Sequence, residues 1–155
     1  TDIVLVTRVI IPRMTSQTGP QKITACAFLH KDGKLFIARR AETKKFLPGK
    51  FELSGGHIEY SEEIAEGLKR EFREEFGVEI IVGDAFYAFT YMNGDVHVVE
   101  VDYFVELVDP KVEVTLHPED HSEYRWVSRE EVDEVWGKED AEYRAIQKGF
   151  EILGA

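Results

Sequence analysis

The stretch that decides the fold is residues 55–78, which read GGHIEYSEEIAEGLKREFREEFGV. It opens on two glycines, which permit a tight turn, and then places apolar residues at the three- and four-residue spacing of a helix. We predict a helix over residues 62–76, with Ser61 as its N-cap and Gly77 as its C-terminal stop. Glu62 and Glu63 would fall in its first turn, where negative charge suits the helix dipole.

Three glutamates crowd the end of this predicted helix, at Glu71, Glu74 and Glu75. On a helical wheel they lie beside the apolar stripe, away from the fully solvated side, and their spacing brings them within ~6 Å of one another. Like charges this close repel, and a cluster of hard oxygen ligands is what Mg²⁺ or Mn²⁺ would neutralise. Glutamate pairs on helices are more often a solvated face, so the pattern alone leaves both interpretations open.

The context of these glutamates favours the metal interpretation. From Gly56 onward the chain fills all nine defined positions of the pattern G-x5-E-x7-R-E-U-x-E-E-x-G-U, with Phe72 taken as the first bulky apolar residue U. The chain therefore resembles the Nudix family, over most of residues 22–150. On average residue usage, a chance match is on the order of one in a billion per starting position. The resemblance implies the Nudix fold, in which a mixed β-sheet is sandwiched between helices (α/β/α).

The resemblance also implies roles for the residues of the box. The Gly55 carbonyl and the carboxylates of Glu71, Glu74 and Glu75 would hold the divalent metal, and Glu71 would alternatively act as the base. The catalytic candidates are Glu71, Glu74 and Arg70, although bracing of the loop and helix by Glu62 and Arg70 is the role that we weight more heavily. Ser61 departs from the glycine common in relatives just before the box glutamate, and we expect a serine N-cap to replace it adequately.

A further metal ligand or base often comes, in similar proteins, from a loop before a late tryptophan strand. Glu119, Asp120 and Glu123 precede Trp126 in this way, and the spacing does not choose among them. The substrate-binding candidates come from elsewhere in the chain. Arg40 matches a phosphate-contacting arginine of triphosphate-cleaving relatives. The remaining candidates are Arg39, Leu53, Gly56 and Asp140.

Aromatic residues offer a surface on which a nucleobase could stack, although core packing is the commoner role for each of them. These residues, besides Leu53, are Phe28, Phe86, Phe89, Tyr91 and Trp136. Asp140, with Glu139, follows Trp136 and could hydrogen-bond a purine edge, and the start of a solvated helix is an equally good interpretation.

The remaining pattern predicts one mixed α/β domain over residues 1–155, with residues 1–20 as an N-terminal extension. Strands are predicted over residues 3–11, 22–29, 35–38, 78–82, 85–91, 96–108 and 124–127, and residues 93–94 read as a hairpin turn. Further helices are predicted over residues 129–136 and 140–153, the first of them with Ser128 at its start. An edge strand at residues 3–11 could pair with a second subunit, so a homodimer is a hypothesis.

Composition narrows the class of protein. The chain has 19 basic and 30 acidic residues, a formal net charge of −11, which disfavours binding of duplex nucleic acid through its phosphates. No apolar run approaches the ~20 residues of a membrane span, and a lone cysteine argues for a reducing, cytoplasmic setting. We expect a Mg²⁺-dependent pyrophosphohydrolase, with Mn²⁺ as an alternative, acting on a nucleoside triphosphate that could be oxidised. ADP-ribose, other nucleotide derivatives and a non-catalytic nucleotide sensor stay open.

Overall fold

The computed structural model describes residues 17–154 and centres on a seven-stranded mixed sheet. Its strands are β1 (Gln21–Lys31), β2 (Lys34–Arg40), β3 (Phe51–Glu52), β4 (Gly55–His57), β5 (Ile80–Asn93), β6 (Val96–Leu107) and β7 (His121–Val127). The main path runs β3-β2-β1-β6-β5, while β4 pairs with β1 and β7 pairs with β2. The pairing of β1 with β6 is parallel, whereas β5 and β6 form an antiparallel hairpin.

Helices cover both faces of this sheet, and β1 is therefore buried on both faces from residue 24 to residue 29. Ala25, Ala27 and Leu29 point to the face covered by α1 (Ile64–Phe76). Cys26 and Phe28 point to the opposite face, which packs against α3 (Ala141–Leu153) and the short α2 (Arg129–Val132). Alternation with a period of two thus gives one strand two apolar faces. The predicted α/β/α architecture is confirmed.

The start of α1 corrects the sequence prediction. The helix begins at Ile64, its N-cap is Glu63, and no side chain caps it. The prediction of Ser61 as N-cap was wrong, because Ser61 adopts a left-handed backbone with φ of 62° three residues before the helix. That conformation explains why glycine suits this position. At the other end Gly77, with φ of 65°, donates its N–H to carbonyls of the last turn, as predicted.

Other boundaries shift more modestly. The two strands predicted over residues 78–91 are a single strand, β5, which carries irregularities on either side of Ala85. Ser128 caps α2 as predicted, but that helix ends at Val132. The glycine pair, for which the sequence indicated a tight turn, forms β4. Residues 3–11, and the subunit contact hypothesised for them, lie outside the described residues. Within the described part, no helix combines the length and apolar character that a bilayer crossing requires.

Candidate active site

The two glycines of β4 create the closest backbone approach in the site. An added Cβ on Gly55 would lie 1.9 Å from the carbonyl oxygen of Ala25 on β1, so only glycine fits without moving a strand. A Cβ on Gly56 would lie 2.3 Å from the carboxyl carbon of Glu71. The bare glycine backbone therefore leaves space in which the Glu71 carboxylate sits directly against β4.

Glu62 and Arg70 join the loop before α1 to the helix itself. The Arg70 guanidinium donates to both carboxylate oxygens of Glu62, at 2.8 and 3.0 Å, and to the carbonyl oxygen of His57 at 3.3 Å. The backbone N–H of Glu59 also donates to Glu62, at 3.0 Å. The hydrogen bonds from Arg70 are the main reason that the pKa of Glu62 falls to about 2. This bidentate pair is the geometry expected of a brace.

The three box carboxylates occupy different environments. Glu71 is mostly buried and accepts a hydrogen bond from Arg70 at 3.0 Å, and burial raises its pKa in spite of that contact. The side chain of Glu74 is 59% exposed. Burial raises the pKa of Glu75 to about 9, with further contributions from the facing carboxylates of Glu52 and Glu71. A nearby cation would offset this repulsion and favour the ionised form of the carboxyl groups.

Among the loop acids, the structure brings Asp120 nearest to the box. Its carboxylate contributes to the raised pKa of Glu75 and receives a hydrogen bond from Lys44 at 2.8 Å. Glu119 is exposed, while Glu123 faces Arg39 at 3.7 Å and Arg125 at 3.3 Å.

Beside the box lies an open cavity of 540 Å³, a size typical of small-ligand sites. Its wall contains eight of the residues singled out from the sequence: Arg40, Leu53, Gly55, Gly56, Glu75, Phe89, Tyr91 and Asp140. Arg39 takes no part in the wall, because its guanidinium is turned towards the Gly49 carbonyl and the carboxylates of Glu42 and Glu123.

The cationic side of the cavity is held in place by carboxylates. Arg40 is half-buried, donates to the carbonyl oxygen of Phe46 at 2.8 Å and pairs with Glu52 at 3.1 Å. Lys50 pairs with Asp140, which also caps α3 by accepting from the backbone N–H of Glu142 at 2.8 Å. Two positive side chains are therefore already oriented before any anionic ligand arrives.

The aromatic candidates divide between cavity and core. Phe89 and Tyr91 line the cavity, where Tyr91 stacks on Phe46 with ring planes 8° apart. Phe28 and Phe86 pack edge to face within the core on the α3 side of the sheet. Trp136 is buried in that same cluster and donates its indole N–H to Glu142 at 3.1 Å. A stacking role for Phe28, Phe86 and Trp136 does not agree with their positions.

Sequence reasoning missed three acids of this cavity, Glu52, Glu100 and Glu142. Glu52 contacts both Arg40 and His121, the latter at 2.9 Å, and it faces Glu75. Glu142 accepts from the backbone N–H of Leu53 at 3.3 Å, and burial raises its pKa well above the usual value. A usable signal existed for Glu100, because it interrupts the valine-rich run of residues 96–101 at a position that alternation turns inward.

The comparisons with known proteins agree with this geometry. A model of the NUDIX domain matches residues 20–148. The chain belongs to the Nudix family. It is accordingly a hydrolase of phosphorus anhydrides, similar in type to MutT. Nudix hydrolases generally use a divalent metal.

Two kinds of Nudix relative illustrate the similarity. Nucleoside triphosphatase NudI of Escherichia coli O139:H28 is 29% identical in an alignment of 121 positions that covers 72% of this chain and 85% of the relative. The crystal structure of a MutT protein from Methanosarcina mazei Go1 superposes with a TM-score of 0.75 at 26% identity, covering 90% of this chain and 99% of that one. The solution structure of the E. coli ORF135 protein shares the Nudix fold, with a TM-score of 0.70, 24% identity and coverage of 88% and 93%.

The donor set of this Nudix domain fits a divalent cation. Glu71 and Asp120 both lie near enough to Glu75 for their carboxylates to raise its pKa, and hard oxygen donors such as these are what Mg²⁺ and Mn²⁺ prefer. Burial and mutual repulsion raise the pKa values of Glu71 and Glu75, so a cation between them would relieve a cost that the protein already bears. Of the cationic groups close by, Arg70 is shared with Glu62 and Glu74, and Lys44 pairs with Asp120 itself.

Proposed function

We propose that this Nudix hydrolase uses Mg²⁺, with Mn²⁺ as an alternative, to cleave a nucleoside triphosphate, oxidised forms included, to the monophosphate and pyrophosphate. The observation that carries the proposal is the composition of the 540 Å³ cavity wall. It combines a carboxylate of the box (Glu75), two oriented cations (Arg40 and Lys50) and an aromatic surface at Tyr91. The name of the relative NudI, a nucleoside triphosphatase, supports the same substrate class.

In this proposal the metal ligands are Gly55 through its carbonyl oxygen, Glu71, Glu74, Glu75 and Asp120. When bound, the cation would neutralise phosphate oxygens and lower the pKa of the attacking water. Asp120 is preferred to Glu119 and Glu123 because it alone of these three acids contributes to the raised pKa of Glu75. Glu74 is exposed and can approach a ligand without leaving a buried contact.

Arg40 and Lys50 bind and orient the phosphate chain, which requires them to exchange part of their present carboxylate contacts for phosphate oxygens. As the alternative to its role as a metal ligand, Glu71 is the candidate proton acceptor, since burial moves its pKa upward from the value of an exposed carboxyl, towards the range in which a general base works best. Arg70 acts as a positioning residue that holds Glu71 and, through Glu62, the loop before α1.

The test is a nucleotide panel with Mg²⁺, with EDTA as the matched control and separation of the products. We expect release of pyrophosphate and a monophosphate from a nucleoside triphosphate, and loss of the reaction in EDTA. Preferred cleavage of ADP-ribose, a dinucleoside polyphosphate or a sugar nucleotide would replace the proposed substrate. Tight binding without cleavage of any compound would identify a nucleotide sensor instead.

A further inference from the structure

A buried acidic cluster lies where the parallel strands β1 and β6 run side by side. Their register places Glu100 beside Thr24 and Asp102 beside Cys26. Glu100 is 4% exposed and Asp102 is 0% exposed, and Cys26 is buried with them. Among residues 17–154, this is the one group in which three potential ligand atoms of Cys, His, Asp or Glu side chains come within 4.8 Å of one another. It is separate from the glutamates of α1.

The carboxyl groups of this cluster have oxygens without partners. Oε2 of Glu100 and both side-chain oxygens of Asp102 are buried and accept no hydrogen bond from an N–H or hydroxyl group of the described residues. An unpaired buried polar group costs free energy, so native proteins almost always pair it. Burial and mutual repulsion raise the pKa of Glu100, and burial raises that of Asp102, so the pair shares a proton. One proton between four oxygens still leaves more acceptors than donors.

The cluster opens onto the candidate active site through Glu100 and Cys26, both of which line the cavity. The antiparallel ladder of β5 and β6 places Phe89 directly opposite Glu100, and Tyr91 opposite Val98. The wall therefore presents aromatic rings beside a carboxyl group whose Oε2 lacks a donor. A planar ring that carries N–H groups on one edge meets both requirements.

We propose that Glu100 binds the edge of the substrate's nucleobase and selects bases with an exocyclic amino group, namely adenine, cytosine and guanine, over uracil and thymine. An exocyclic amine supplies two N–H donors to a wall that is rich in acceptors. The imide edge of uracil or thymine offers one N–H between two carbonyl oxygens, which would face the oxygens of Glu100. The inference rests on the proposed function, because it assigns the cavity to the nucleotide that is cleaved.

The test measures binding without hydrolysis. The full chain in EDTA is titrated by calorimetry with dAMP, dCMP, dGMP and dTMP, and the four Kd values are compared. We expect at least one amino-bearing monophosphate to bind about tenfold more tightly than dTMP, the effect of one well-placed hydrogen bond. In Glu100→Gln the difference should shrink to about threefold or less, because the amide of glutamine can donate to a thymine carbonyl. Glu106→Gln, an exposed position on the same strand, is the matched control and should keep the wild-type ratio.

Each outcome decides between the inference and the proposed function. Equal Kd values for all four monophosphates in the wild-type chain, or no binding at millimolar concentration, overturn the inference even if triphosphates are hydrolysed. If the wild-type chain prefers an amino-bearing monophosphate over dTMP but cleaves no triphosphate, the proposed function is overturned and the inference stands. Stoichiometric Zn²⁺ that survives EDTA in the wild-type chain and is lost from Glu100→Gln would make the cluster a metal site and overturn base binding. A preference that a folded Glu100→Gln keeps overturns the assignment to Glu100, and equal wild-type Kd values overturn it even if the variant fails to fold.

Discussion

Replacing Glu75 with glutamine should stabilise the metal-free protein. Burial and the facing carboxylates of Glu52, Glu71 and Asp120 raise the pKa of Glu75 from 4.5 to about 9. At pH 7.5 the unfolded chain ionises this group, whereas the folded chain keeps its proton. The difference of three pH units, at about 1.4 kcal/mol each, lowers the free energy of unfolding by an amount on the order of 4 kcal/mol. Glutamine has nearly the same shape and no proton to lose, so it escapes this cost.

The pH dependence gives the sign of the effect. Below about pH 4.5 both states of the wild-type chain are protonated at Glu75, and the group contributes no difference. Between pH 4.5 and about 9, the folded wild-type chain loses stability relative to Glu75→Gln as the pH rises. The two proteins should therefore differ by less than about 1 kcal/mol at pH 5.0 and by up to about 4 kcal/mol at pH 7.5.

Urea denaturation in EDTA at these two pH values measures the difference. Adding Mg²⁺ at pH 7.5 should then stabilise the wild-type chain through preferential binding to the folded state, and should stabilise Glu75→Gln far less. Glu66→Gln, an exposed position on the same helix paired with Lys69, is the control and should change stability by no more than about 0.5 kcal/mol. Identical pH dependence of the wild-type and Glu75→Gln chains in EDTA would refute the electrostatic reasoning.

Three further substitutions test other parts of the site. Ser61→Gly should raise the free energy of unfolding by about 1 kcal/mol and Tm by about 2–4 °C, because glycine relieves the left-handed backbone at φ of 62°. Ser122→Gly, in a strand, is the control and should lower both quantities. A lower Tm for Ser61→Gly would contradict the inference that the backbone is strained at this position. Gly55→Ala should lower the free energy of unfolding, measured by urea denaturation, by at least about 3 kcal/mol, since the new Cβ would lie 1.9 Å from the Ala25 carbonyl oxygen. Gly137→Ala is the control, because a Cβ there meets open space, and it should unfold like the wild-type chain. Glu74→Gln should lower kcat at least about 100-fold with an unchanged circular dichroism spectrum; unchanged turnover would remove Glu74 from the metal ligands.

Local patterns carried the prediction of α1 because its signals lie within a few residues of one another. The apolar spacing and the stop at Gly77 both follow from helix geometry, and the structure reproduces them. The prediction of Ser61 as N-cap failed because the local sequence is compatible with two backbone conformations, an N-cap and a left-handed turn. Serine is a common N-cap, but the brace between Glu62 and Arg70 holds the preceding loop in a left-handed turn. That contact spans eight residues, beyond the reach of capping rules.

Long-range contacts decided the rest of the site. We prefer Asp120 among the three loop acids because the pairing of β7 with β2 brings the start of β7 to the end of β2, where the Asp120 carboxylate contributes to the raised pKa of Glu75. Arg40 and Arg39 are neighbours in sequence, yet alternation along β2 directs Arg40 into the cavity and Arg39 towards Glu42 and Glu123.

The sequence by itself determined the family, the α/β/α fold and the glutamate-bearing helix, because the motif that carries them is encoded by spacing within about 25 residues. Only the tertiary structure decided which acids face one another and which are buried. Glu52, Glu100 and Glu142 come from β3, β6 and α3 and meet at one cavity only through the packing of sheet and helix. Burial sets their charge state, and burial is a property of the folded surroundings that no single stretch of sequence contains.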